Sequence, residues 1–542
     1  MNINAAAVSA ERSAVGPRLD YKAGPGTAII FVGLLVAGVL FTGFSLMSDV
    51  TRAGITVASI ASYLLLAGAL LIALGFEFVN GFHDTANAVA TVIYTHSLPA
   101  QMAVLWSGLF NFLGVLVSSG AVAFGIISLL PVELILQVGS GAGFAMVFAL
   151  LIAAIVWNLG TWTLGLPASS SHTLIGSIVG VGVANALMHG RDGTSGVDWS
   201  QVTKVGESLL LSPLVGFVAS ALLFLAMKAV IKNRKLFEAP RNNAPPPWWI
   251  RGLLVLTCTG VSFAHGSNDG QKGMGLIMLI LVGTVPLAYA LNRAMPAGQV
   301  AQFAAVAEAT HLSLARNLPN PAPPVSSPEE ARNTLSVYVR THQYSPVVLA
   351  ALSDISGSIG EQVKGSEGSL GRIRSAVVPN VRNDMYLTSE AIRLIQKDKQ
   401  VGLDSIANSD IRRFKTQIDA ATKFIPMWVK VAVAIALGLG TMIGWKRIVV
   451  TVGEKIGKTH LTYAQGACAE ITAAATIAAA DGYGMPVSTT HVLSSGVAGT
   501  MSAAGSGLQM ATVRNLLLAW VLTLPAAIVL SGCLYWVLSH VF

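Results

Sequence analysis

Long apolar runs, each long enough to cross a lipid bilayer, dominate the chain. They fall at about 26–48, 57–98, 102–130, 142–166, 168–187, 207–231, 252–292, 424–446, 462–481, 486–506 and 514–541. A hydrocarbon core needs roughly 20 helical residues to span it, so the pattern predicts an all-α polytopic membrane protein of about ten to twelve crossings. Polar segments break several runs, and at membrane depth such breaks are tolerated only where they line a cavity or pack inside protein. Broken helices and re-entrant-like hairpins are therefore expected.

One stretch does not fit the pattern. Residues 293–423 hold 15 Lys and Arg and 12 Asp and Glu, nearly half of all charges, and read as a soluble insert. The organisation that follows is a polar tail (1–25), an extra N-terminal helix (26–56), a first transmembrane repeat (57–231), a basic loop (232–251), a first part of a second repeat (252–292), the insert, and the remainder (424–542). Only 11% of the chain is charged against 53% hydrophobic, whereas ordinary soluble domains carry roughly 25% charge. A large soluble enzyme is excluded. The net charge of +8 sits at the ends of apolar runs, where headgroups and topology account for it, so nucleic acid is not an expected partner. Cys258, Cys468 and Cys533 lie inside apolar segments and read as small core residues. The polar tail has no short apolar run with a cleavage site, so no secretory signal is expected.

Basic residues orient the crossings. Lys228, Lys232, Arg234, Lys235, Arg241 and Arg251 mark one cytoplasmic loop, and Lys446, Arg447, Lys455 and Lys458 mark another. An even number of crossings must lie between them, which makes 252–292 one interrupted crossing and puts the insert outside. An internal repeat runs through this frame. Gly81-Phe82-His83-Asp84-Thr85-Ala86-Asn87-Ala88 is answered by Gly266-Ser267-Asn268-Asp269-Gly270-Gln271-Lys272-Gly273, and Pro167-Ala168-Ser169-Ser170-Ser171-His172 by Pro486-Val487-Ser488-Thr489-Thr490-His491. Parity makes the halves opposite in orientation. Inverted repeats with interrupted helices at matching positions are the architecture of secondary transporters, whose site lies near the midplane.

Asp84 and Asp269 are the central residues, because a carboxylate within an apolar run costs at least ~2.5 kcal/mol unless paired or hydrated. They read as coupling and substrate groups, with a structural ion pair or a helix-break cap as the alternative. Asn80, Thr85, Asn87 and Asn268 add neutral oxygens of a kind that coordinate a cation. Each Pro-Ser element opens a half-helix with proline at its first position, and Ser169, Ser170, Ser171, Ser488, Thr489 and Thr490 with free backbone N–H groups suit an anion. His172 and His491, at the same offset, suit a proton relay or plain packing. Lys272 stands in the slot of Asn87 and could meet Asp269, Asp84 or an anionic substrate, and Glu470 is a further cation or proton candidate. Gly453-Glu454-Lys455-Ile456-Gly457-Lys458-Thr459 is one residue short between its glycines for a phosphate loop, so ATP is not the expected energy source.

Unless they are occupied in binding a coupling ion, two site carboxylates favour hydrogen phosphate, which carries a proton to donate, over sulfate, which carries none. A phosphate dianion entering against ~100 mV costs roughly 4.6 kcal/mol. Electrogenic uptake then needs at least three co-entering positive charges, or a neutral metal–phosphate complex with one proton.

Through Asn80–Thr95, Trp157–Gly180, Phe263–Leu276, Gly440–Gly457 and Gly484–Thr500, the chain resembles the inorganic phosphate transporter (PiT) family, and closely its bacterial low-affinity Pit permeases. The resemblance implies phosphate symport in the bacterial inner membrane, coupled to protons and often carrying a divalent metal with the phosphate; other branches use sodium, and a few members carry sulfate. It implies that Asp84, Asn87, Asp269 and both Ser/Thr elements line the site. Three departures stand out: Lys272 where many relatives have Asn, Asn111 where sodium-coupled relatives often have Glu, and the extra run 26–48. The first two speak against sodium. No resident cofactor or metal and no enzymatic activity are expected; a homo-oligomer is compatible with the reading. The insert carries no interpretable motif, and a non-transporting receptor or scaffold is the alternative from another class.

Overall fold

The computed structural model describes residues 17, 19, 24–54, 60–84, 86–129, 141–240, 243–321, 323, 325, 327–398 and 401–542. Among these no β-strand forms, and the chain divides into two compact units, 1–45 with 59–280 and 426–542, and 46–58 with 281–425. The first unit holds helices α2 (Ile60–Asp84), α3 (Ala86–Tyr94), α4 (Ala100–Val117), α5 (Ala121–Ile127), α6 (Gly141–Thr163), α7 (Ser170–Met188) and α8 (Trp199–Val230). Helices α1 (Pro25–Arg52) and α9 (Trp248–Thr284) cross the unit boundary, and α10 (Pro286–Tyr289) follows in the second unit. The second unit then continues with α11 (Ala297–Arg316), α12 (Pro328–Thr341), α13 (Pro346–Lys364), α14 (Val378–Ile395) and α15 (Ser405–Thr422). The first unit resumes at α16 (Met427–Thr441), α17 (Lys446–Val450), α18 (Tyr463–Gly482), α19 (Thr489–Ala503) and α20 (Met510–Leu538).

The polytopic all-helical class expected from the apolar runs is what the fold presents. Seven described helices are long and apolar enough to cross a membrane alone. Others implied by the apolar runs are short, as with α16 and α19, or carry polar residues mid-length, as with α9 and α18. Large apolar side chains such as Ile29, Leu64, Leu210, Val521 and Val529 are exposed, a surface suited to hydrocarbon rather than water.

One expectation is corrected. The Gly266–Gly273 element does not interrupt its helix: α9 runs without a break from Trp248 to Thr284. Its Asp269 and Lys272 form an ion pair one turn apart within the helix, so the two charges offset each other without unwinding the backbone. At the matching place in the first half, α2 ends at Asp84 and α3 begins at Ala86, and Thr85 lies outside the described residues. The cysteine reading holds for Cys258 and Cys468, which are buried, but Cys533 is exposed on α20.

The repeat is visible in the packing. Hairpin helix α7 packs on α20, and its counterpart α19 packs on α8, so each half's long helix supports the other half's hairpin. Hydrophobic driving force is absent between helices in lipid, and close backbone approach at small residues replaces it. A Cβ on Gly180 of α7 would lie 2.1 Å from the Ile528 carbonyl of α20, and one on Gly499 of α19 would lie 2.1 Å from the Phe217 carbonyl of α8. The same device joins α2 to α16, where a Cβ on Gly81 would lie 2.3 Å from the Leu437 carbonyl and one on Gly440 would lie 2.1 Å from that of Phe78.

The second unit is built differently. Its amphipathic helices bury Phe303, Leu335, Ile355, Ile359, Ile392, Ile411 and Phe414, and Ser327 and Asp404 cap α12 and α15 through their side chains. Arg332 grips Asp384 with two nitrogens at 2.6 and 3.0 Å, a bidentate geometry that fixes α12 against α14.

Gly180→Ala tests the packing claim. Overpacking of this kind costs about 1–3 kcal/mol, so the variant is expected to melt several degrees lower in detergent and to lose monodispersity. Gly160→Ala, where a Cβ meets nothing within 4 Å, is expected to match wild type. Equal stability of both variants contradicts the claim.

Candidate functional site

Both Pro-Ser elements open helices, but not as the proline rule predicts. Ser169 and Ser488 are the N-caps, each accepting the backbone N–H of the histidine three residues on at 3.2 Å. Pro167 and Pro486 therefore stand before the cap, outside the helix. An N-cap hydroxyl already engaged this way serves the helix end, which leaves the next two hydroxyls of each element to face the interior.

One hydroxyl from each element reaches Asp84. Ser170 Oγ donates to Asp84 Oδ2 at 2.5 Å, and Thr490 Oγ1 donates to Oδ1 at 2.9 Å. Sequence separations of 86 and 406 residues are closed at one carboxylate. His83 Nδ1 adds a third contact at 2.8 Å and reaches Thr161 through its other nitrogen at 3.2 Å. Asn87 Nδ2 donates to Thr490 Oγ1 at 3.1 Å and to the Asp84 carbonyl at 2.8 Å. Ser171 donates to the Val487 carbonyl at 2.9 Å, tying the two hairpins directly.

Asp269 is held by different chemistry. Lys272 Nζ lies 2.7 Å from Oδ1 and His265 Nε2 lies 3.3 Å from Oδ2. His265 in turn meets Asn111 Oδ1 at 2.8 Å through Nδ1. Asp84, His265 and Asp269 each offer one ligand atom, and these lie within 4.8 Å of one another. Two hard oxygens and an imidazole in that space could hold a cation or the metal end of a metal–phosphate substrate. Asn268 Nδ2 reaches the Met485 carbonyl at 3.3 Å, placing it against the segment that leads into the second hairpin. Asp84, Asn87, Asp269 and Lys272 are all buried, so the arrangement is occluded.

The remaining candidates make contacts of their own. Glu470 on α18 accepts from Thr91 of α3 and Thr257 of α9, and Thr91 stands one helical turn from Asn87. The histidines meet each other: the rings of His172 and His491 lie 4.6 Å apart, and His491 stacks on Trp520 at 4.2 Å. They line a cavity of about 720 Å³ whose other walls are largely apolar residues of α7, α8, α19 and α20.

Three groups escaped the sequence reading, of which His265 is already placed beside Asp269. Glu77 of α2 is fully buried, packs against Gly273, and accepts from Asn80 at 3.4 Å. It has no repeat partner, since the matching residue is Ser262, but a carboxylate inside an apolar run was itself a signal. Asp481, at the end of α18, accepts from Ser267 at 2.6 Å and from Gln271 at 2.5 Å. Its counterpart in the first half is Trp162, which donates to the Gly444 carbonyl at 2.8 Å and sits under Arg447 at 4.6 Å. Each hairpin is thus pinned to a neighbouring helix or loop at the residue five places before its proline.

Comparison with known proteins adds four findings. Residues 80–531 match the model of the "Phosphate transporter family". The chain is 42% identical to "Low-affinity inorganic phosphate transporter PitA" of Escherichia coli (strain K12), covering 87% of this chain and 96% of that protein. It is 40% identical to the "Low-affinity inorganic phosphate transporter" of Buchnera aphidicola subsp. Acyrthosiphon pisum, covering 86% and 95%. A solved structure described as "The sodium-dependent phosphate transporter" aligns with a TM-score of 0.49 at 21% identity, over 88% of this chain and all of that one.

If Asp84 is the junction that both hairpins share, its two hydroxyl donors should act together. Ser170→Ala and Thr490→Ala are each expected to lower solute uptake roughly tenfold, with the double variant falling short of the product of the two, the mark of coupled groups. Ser169→Ala and Ser488→Ala should instead lose about 1 kcal/mol of stability each as missing caps, with apparent affinity unchanged. Full additivity of Ser170 and Thr490 contradicts a shared junction.

Proposed function

The chain belongs to the phosphate transporter family, and from that premise we propose that it imports inorganic phosphate by proton-coupled symport across the bacterial inner membrane. It is a multi-pass transporter and not an enzyme. The observation that carries the finer reading is the Asp84 carboxylate with a hydroxyl from each hairpin.

Hydrogen phosphate suits such a junction because it both donates and accepts. Ser170 and Thr490 turn from Asp84 to the phosphate oxygens, and Asp84 accepts the P–O–H that sulfate lacks at neutral pH. A hydrogen-bonding site that leaves its own polar groups unpaired with the wrong anion discriminates strongly. Helix N-termini at Ser169 and Ser488 add backbone N–H groups and the positive end of the helix dipole. A divalent metal travelling with phosphate meets Asp84, Asp269 and His265, and a neutral complex avoids most of the electrical cost of a dianion.

Access alternates by parting one set of hairpin contacts while the other holds. Trp162 with Gly444 and Arg447 forms one set, and Asp481 with Ser267 and Gln271 forms the other. The occluded cluster lies between the two hairpins, the expected place for a site in an inverted-repeat transporter.

Purified protein in liposomes tests the reading. With an inward proton gradient and a negative interior, 32P-phosphate is expected to accumulate about tenfold or more, a gradient worth roughly 1.4 kcal/mol. A protonophore should abolish it, and excess sulfate should not compete. Accumulation of sulfate in place of phosphate, or uptake indifferent to the proton gradient, contradicts the proposal.

A further inference from the structure

The two halves of the repeat solve the same electrostatic problem in different ways. Asp84 and Asp269 occupy equivalent positions, both buried among apolar helices, and a buried carboxylate persists only with donors or a counter-charge. Asp84 has donors, namely Ser170, Thr490 and His83. By the repeat, the hydroxyls equivalent to Thr490 and Ser170 are Ser171 and Thr489, and Asp269 uses neither. Ser171 donates to the Val487 carbonyl, and the Thr489 hydroxyl has no hydrogen-bond partner among the described residues. The difference traces to one residue, three positions after each aspartate: Asn87 in the first half and Lys272 in the second. Lys272 is among the largest fully buried side chains, with its Nζ 2.7 Å from Asp269 Oδ1.

We propose that Lys272 is a built-in cation, whose ammonium takes the place beside Asp269 that a small monovalent coupling ion would otherwise fill. A compact ammonium on a flexible stem acts as a point charge, and this one is tethered and cannot travel. Wild-type transport is therefore indifferent to sodium. Replacing Lys272 with the Asn of the first half leaves Asp269 facing a gap of one positive charge, near His265 and the idle Thr489 hydroxyl, and the gap fills with a sodium or lithium ion that moves with the substrate. The inference rests on the symport reading but has a readout of its own.

Lys272→Asn, purified, is tested by melting and by uptake in liposomes in sodium, lithium or choline salts. Sodium at about 100 mM, a concentration that binds a site of millimolar affinity or better, is expected to raise its melting temperature without phosphate present. The same salt should stimulate its phosphate uptake roughly tenfold over choline, the equivalent of about 1.4 kcal/mol. Wild type and Lys272→Arg should show neither effect. Should the single variant fold poorly, the unpaired Asp269 is the cause under this proposal, and either added sodium or the double variant Asp269→Asn/Lys272→Asn recovers folding, the double variant being sodium-indifferent. A Lys272→Asn protein indifferent to sodium in both assays, or a folding defect that neither sodium nor the second substitution relieves, overturns the proposal. Failure of wild type to accumulate phosphate would strike the symport reading alone, since the sodium-dependent melting of the variant is read without transport.

Discussion

A carboxylate buried among apolar helices has to find hydrogen-bond donors or a counter-charge, and the fold of the transporting unit is arranged around that requirement at Asp84. Its donors come from the openings of two hairpin helices in opposite halves of the chain. Moving the first hairpin alone strips Oδ2 of Ser170, and moving the second leaves Oδ1 with His83 only, in a dry interior where the loss of a partner costs more than the same loss in water. The glycine contacts serve the same end. By letting α20 and α8 approach the hairpin backbones at Gly180 and Gly499, they hold Ser170 and Thr490 at the distance that the carboxylate needs.

On the proposed reading, the junction also supplies a way to sense substrate. Phosphate entering there would draw the Ser170 and Thr490 hydroxyls from Asp84 and leave the carboxylate open to a proton. The contacts at Trp162 and Asp481 are only part-buried, unlike those at Asp84. The second half departs from this scheme at Lys272, which gives Asp269 a permanent partner and makes the cluster asymmetric despite the repeat.

Much of this is legible in the chain. The apolar runs indicate the class of fold, and the duplicated Asp and Pro-Ser elements mark the residues that meet at the centre, because polar groups at membrane depth are costly unless they serve one another or a solute. The mismatch of Asn87 and Lys272 can be read from spacing, but its consequence cannot, since which hydroxyls Asp269 forgoes depends on tertiary distance. The same limit hides the division of labour within Ser169-Ser170-Ser171. Capping is decided by backbone geometry, and the cap falls on the first serine, with proline outside the helix. The tilted rings of His172 and His491 meet at 4.6 Å, a contact between halves that no local pattern encodes. The continuity of α9 runs against its local sequence, where glycines and polar residues suggest a break, because an internal ion pair at one-turn spacing removes the need for one. Glu77 lacks a repeat partner, and without one the duplication does not point to it.

Phosphate held where Asp84 meets Ser170 and Thr490 would be visible in a structure of the protein determined at saturating phosphate. The expected result is phosphate within hydrogen-bond distance of both hydroxyls and of Asp84, with the Ser170 and Thr490 bonds to the carboxylate broken or lengthened. Phosphate ordered elsewhere in the molecule, with both hydroxyls still on Asp84, would contradict that placement.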